Sequence, residues 1–76
     1  MNLKEFLINC KGRLENCVQQ LSVYLEQIKE LERNPQMSDS EKLSELAIIR
    51  AQIKNINDEI DIIKREITVS QDVNIN

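Results

Sequence analysis

The chain has 76 residues, of which 41% are hydrophobic, 3% are aromatic and 30% are charged. A chain of this length forms at most one domain and buries only a small part of its surface when it folds alone. The net charge of −3 comes from 10 basic and 13 acidic side chains in mixed order, and this excludes the clustered Lys and Arg of a typical nucleic-acid surface.

The first predicted element is a helix over about residues 3–33. Apolar residues recur along it in an unbroken alternation of four and three positions, which is typical of a helix that packs on a partner along one seam. Asn2 and Glu5 have the spacing of an N-cap and its reciprocal acceptor, so the helix is expected to begin directly after Asn2. Val18 and Leu25 lie beside the seam and widen it into the broader apolar face that is typical of a helix in a bundle.

Cys10 and Cys17 lie on this seam. Their separation is about 10 Å along one helix face, which is too far for a disulfide within the chain. We interpret them as small buried side chains, with a disulfide or a shared metal between two chains as the alternative. Tyr24 is the aromatic residue on the main seam and is interpreted as a core or interface residue, with a recognition role as the alternative.

The sequence offers no recognisable catalytic or metal site. It has no His, the commonest general base and metal ligand. It also lacks the CxxC spacing of a zinc site and the Glu-x-x-His motif of a di-metal carboxylate bundle. We therefore expect a protein that is not an enzyme, with no catalytic residue, no cofactor and no metal.

A turn is predicted over residues 34–38. Pro35 cannot continue a helix, and the residue before a proline, Asn34, is pushed away from the helical region. Ser38 and Glu41 have the spacing of a capping box, which predicts that a second helix begins at about residue 39.

The second helix is expected over about residues 39–68. Its seam repeats the same alternation and consists of Leu46, Ile49, Ile53, Ile56, Ile60, Ile63 and Ile67. If the first register continued through the proline, Gln52, Glu59 and Glu66 would occupy the seam instead. The two registers are thus out of phase, and the prediction is an all-α, antiparallel two-helix hairpin. Glu45, Glu59 and Glu66 flank this second seam and are interpreted as solvated charges that guide the pairing of helices.

The last residues, 69–76, leave the helical period and alternate between apolar and polar side chains. A flexible or strand-like tail is predicted here. The alternative to a frayed end is a strand that adds to the sheet edge of a partner.

A hairpin of two helices covers only one side of each apolar stripe, so a second surface is expected. Two hairpins that form a four-helix bundle with two-fold symmetry are the simplest solution, and a hydrophobic helix of another protein in the open groove is the competing one. The residues expected at this interface are Phe6, Val18, Tyr24, Leu25, Leu43, Ile48 and Ile62.

These features predict a homodimeric, cytoplasmic protein-binding module that acts as an adaptor, chaperone or inhibitor, with no secretory signal and no membrane span. The alternatives are a subunit of a heteromeric secretion-type chaperone, or a bundle that binds nucleic acid or a ligand between subunits. In shape alone, the predicted hairpin resembles small hairpins among type III secretion co-chaperones, plasmid copy-control RNA binders and short bacteriophage inhibitors. The abundance of Ile, Asn and Lys suggests an AT-rich bacterial or phage genome.

Overall fold

The computed structural model describes the backbone of residues 2–75 and the side chains of residues 2–71. Two helices make up this fold, α1 over Leu3–Arg33 and α2 over Asp39–Ile75. They pack against each other, and the molecule is 58 Å long. A single helix through both elements would extend to about 110 Å, so the length alone shows that the chain folds back. The predicted helical hairpin is confirmed.

Helix α1 begins where the sequence predicts. The side-chain oxygen of Asn2 accepts a hydrogen bond of 2.8 Å from the backbone N–H of Glu5, and Asn2 itself has an extended backbone. This satisfies one of the N–H groups that the first turn of a helix leaves without an intrahelical partner. The acidic side chain of Glu5 also lies near the positive end of the helix dipole.

The turn is built from local hydrogen bonds on both sides of Pro35. The side-chain oxygen of Asn34 accepts from the N–H of Gln36 at 3.0 Å. The Ser38 hydroxyl accepts from the N–H of Glu41 at 3.2 Å and donates to the Glu41 carboxylate at 3.1 Å. These bonds end one helix and start the next within five residues, as the proline and the capping-box spacing predict.

The end of α2 differs from the prediction. The helix continues to Ile75, so an end near residue 68 and a flexible or strand-like tail over 69–76 are corrected as far as residue 75, and Asn76 lies outside the described residues. Residues 69–75 contain no Gly or Pro that would stop a helix. The Thr68 hydroxyl donates to the Lys64 carbonyl at 3.0 Å, which is how a β-branched hydroxyl residue is accommodated in a continuing helix.

The core lies along the seam between the helices. Its buried cluster consists of two residues from each helix, and half-buried neighbours pack around it. Both cysteines are buried and free, so the prediction that they pack as small hydrophobic side chains is confirmed. The cluster contains Cys10, Cys17, Ile56 and Ile63, surrounded by Phe6, Leu14, Leu21, Tyr24, Ile60 and Ile67.

Candidate protein-binding surface

The residues predicted at an interface fall into two groups. Phe6 and Tyr24 are half-buried against the core cluster. The other five side chains are between 45% and 67% exposed, which is high for large apolar groups in a folded chain. These five are Val18, Leu25, Leu43, Ile48 and Ile62.

An ion-pair bridge shows which sides of the two helices face the same way. The guanidinium of Arg13 on α1 donates to the carboxylate of Glu59 at 2.7 Å and to that of Glu66 at 3.0 Å, both on α2. Hydrogen bonds to Glu59 and Glu66 raise the pKa of Arg13, and a guanidinium is protonated throughout the neutral range even without this shift. Because residues seven positions apart share one side of a packed helix, the bridge marks one long edge of the hairpin.

We call this edge the acidic flank. Phe6 lies seven positions before Arg13. A shallow hollow beside it is lined by Phe6, Ile62, Arg65, Glu66, Val69 and Ser70. Ile48 lies fourteen positions before Ile62 on the same side of α2. The acidic flank therefore combines exposed apolar groups with an excess of carboxylates. It consists of Phe6 and Arg13 on α1 and Glu41, Glu45, Ile48, Glu59, Ile62, Arg65, Glu66 and Val69 on α2.

The opposite edge is the basic flank. On α1, Val18 and Leu25 continue the seven-residue series that contains Lys4 and Lys11. Near the turn, Leu43 borders a hollow that is shared by both helices. The basic flank consists of Lys4, Lys11, Glu15, Val18, Leu25 and Glu32 on α1 and Asp39, Lys42, Leu43, Arg50 and Lys64 on α2.

Three apolar hollows lie along the basic flank, and seam residues open into each of them. Leu7 lies beside Lys4 and Lys11 in one, and Leu14 lies beside Val18 in the second. The third, near the turn, is lined by Ile28, Leu31, Glu32, Asp39, Lys42, Leu43 and Leu46. Two of these hollows are lined by α1 alone, and the one near the turn is lined by both helices. We call this row of hollows the groove, because a helix of another chain could lie along it.

The sequence prediction missed the bridge. The sequence predicts that Glu45, Glu59 and Glu66 are solvated charges that guide pairing, but it names no partner for them. Glu59 and Glu66 are partly exposed and both bind Arg13 of the other helix, and Glu45 is exposed. A signal was present, because Arg13, Glu59 and Glu66 each directly precede a seam residue. In an antiparallel pair, positions with the same offset from the seam lie on the same edge, where opposite charges attract.

No family model, curated protein or solved structure matches this chain. Within the described residues, neither helix has a segment both long enough and apolar enough to cross a membrane. That same part of the chain does not bring three His, Cys, Asp or Glu side chains together as a metal ion would require. The function therefore has to be inferred from the surface itself.

Proposed function

We propose that the protein is a non-enzymatic protein-binding module that works by self-association of the hairpin through its apolar flanks. The observation that carries this proposal is the exposure of large aliphatic side chains on both edges of the seam. Contiguous exposed apolar surface with a polar border is characteristic of binding sites for proteins. Within residues 2–75, the two helices are followed by no third element that could cover this surface.

Association would also complete the core. The seam residues along the basic flank, such as Leu7, Leu14 and Ile28, are only half-buried in one chain. Two hairpins that cover each other's flanks make a four-helix bundle, the smallest assembly of this chain that extends the core sideways. We therefore propose a homodimer as the smallest unit of the assembly, to which further copies can add.

A second candidate is favoured by the groove along the basic flank. A helix from a different protein could lie there, as in a chaperone or adaptor that holds a partner helix. The exposed Lys4, Lys11, Arg50 and Lys64 beside the groove favour a partner whose own helix carries acidic residues.

The free thiols of Cys10 and Cys17 are in keeping with a reducing compartment. We propose that the protein acts in the cytoplasm as an adaptor, chaperone or inhibitor.

The dependence of the melting temperature on protein concentration tests self-association. A protein that folds and associates melts at a higher temperature when it is more concentrated. We expect this rise for the wild type and its loss in Ile62→Glu, because the new carboxylate would be buried at the contact. Ala51→Glu adds the same charge to the exposed outer side of α2 and is the matched control. A wild-type melting temperature that is independent of concentration would contradict the proposal.

A further inference from the structure

The two flanks of the hairpin carry opposite charge. On the basic flank, five cations, Lys4, Lys11, Lys42, Arg50 and Lys64, stand with three carboxylates, those of Glu15, Glu32 and Asp39. The acidic flank has two cations, Arg13 of the bridge and Arg65 beside the hollow, with four carboxylates, those of Glu41, Glu45, Glu59 and Glu66. The basic flank therefore has two more cations than carboxylates, and the acidic flank has two more carboxylates than cations. Each flank also exposes large apolar side chains.

We infer that a second copy of the chain docks with its acidic flank on the basic flank of the first. This inference rests on the proposed self-association and specifies which surfaces meet. A two-fold contact would place each flank against its own copy and bring like charges together, which opposes association. Only the contact between unlike flanks buries apolar groups on both chains while it pairs opposite charges.

The spacing of the charges fits this contact. Arg50 and Lys64 are fourteen positions apart on α2, and so are Glu45 and Glu59, a distance of about 21 Å along a helix. The carboxylates of the bridge can still accept donors from a second chain, because Glu59 and Glu66 remain 44% and 40% exposed beside Arg13. Each carboxylate has more acceptor sites than one guanidinium nitrogen occupies.

A contact between unlike flanks leaves one acidic and one basic flank free in every pair. Such a head-to-tail contact continues into a closed ring or an open row, instead of stopping at two chains as a two-fold contact does. The wild type is therefore expected to associate beyond the dimer as its concentration rises.

Two variants that each block one flank test this arrangement. Leu25→Glu blocks the basic flank, and Ile62→Glu blocks the acidic flank; the wild-type side chains are 55% and 45% exposed in the single chain. We expect each variant alone to sediment as a monomer, and an equimolar mixture to form a 1:1 dimer that grows no further. The mixture contains one intact acidic flank and one intact basic flank per pair.

Other outcomes would overturn the inference. A dimer formed by Leu25→Glu alone would show pairing of acidic flanks, and a dimer formed by Ile62→Glu alone would show pairing of basic flanks. A mixture that stays monomeric while the wild type associates would contradict the contact between unlike flanks, but it would still agree with self-association. A wild type that is itself monomeric would remove both.

The salt dependence of wild-type association gives a second test that needs no variant. Raising the ionic strength from about 0.1 M to about 1 M shortens the Debye length from about 10 Å to about 3 Å. Contact between opposite charges should then weaken, and the average mass should fall towards that of one chain. A mass that rises with salt would indicate contact between like-charged flanks and contradict the inference.

Discussion

Two pairs of adjacent isoleucines show how strongly burial differs between the seam and the flanks of this hairpin. Ile63 is 0% exposed and Ile62 is 45% exposed, while Ile49 is 7% exposed and Ile48 is 54% exposed. One residue turns the side chain by about 100° around the helix, so neighbours of the same type point to different surroundings. Helix α1 covers the seam residue of each pair, and no part of the described chain covers the other.

The largest effect is expected from a substitution at the most buried point of the seam. Ile63→Ala should lower the free energy of unfolding by about 2–5 kcal/mol, because it leaves a cavity among residues of both helices. Urea unfolding at a concentration low enough to keep the chain monomeric provides the measurement. The matched control is Ile62→Ala, for which a change within about 0.5 kcal/mol is expected. Equal losses for the two variants would contradict the distinction between seam and flank.

A smaller effect is expected from the cysteine side of the seam. Replacing both Cys10 and Cys17 by Ala should lower the free energy of unfolding by about 2 kcal/mol in total, because two buried sulfur atoms are removed from contact with α2. Urea unfolding measures this change, and Asn16→Ala, an exposed neighbour of Cys17, is the control. If the double variant kept its stability but lost association, the cysteines would belong to an interface and not to the seam.

The seam could be predicted from the sequence, because burial there depends only on helical period and chain reversal. Both helix starts, the turn around Pro35 and the burial of Cys10 and Cys17 followed from spacing and capping residues alone. The tail prediction failed because alternation of apolar residues over a short segment also fits a helix that meets no breaker. Helix α2 continues because no residue in this segment interrupts the helical backbone. Val69 is therefore helical and extends the acidic flank.

The charged bridge was harder to predict than the seam. Apolar contacts tolerate a shift of the two helices by about one turn, whereas the bonds from Arg13 to Glu59 and Glu66 need the register to within a residue. The partition of the exposed residues into two flanks follows from the same register. Sequence periodicity alone identified Val18 and Ile62 as interface candidates, but it did not show that they lie on opposite edges.

The smallest expected effect concerns this bridge. Arg13→Gln should lower the melting temperature slightly, because the bridge is partly exposed and screened by water and salt. Thermal unfolding followed by circular dichroism measures the shift, with Lys29→Gln, an exposed cation that belongs to neither flank, as the control. The loss should shrink as salt is added. A loss as large as that of Ile63→Ala would mean that the bridge, and not the apolar seam, holds the helices together.

Sedimentation equilibrium of the wild type tests the central claim most directly, namely that the flanks of one hairpin are covered by another. The account predicts an average mass that rises with concentration above that of a single chain, and that returns to a single chain in Ile62→Glu but not in Ala51→Glu. A wild type that keeps the mass of one chain at the highest soluble concentration, and still unfolds cooperatively, would contradict it.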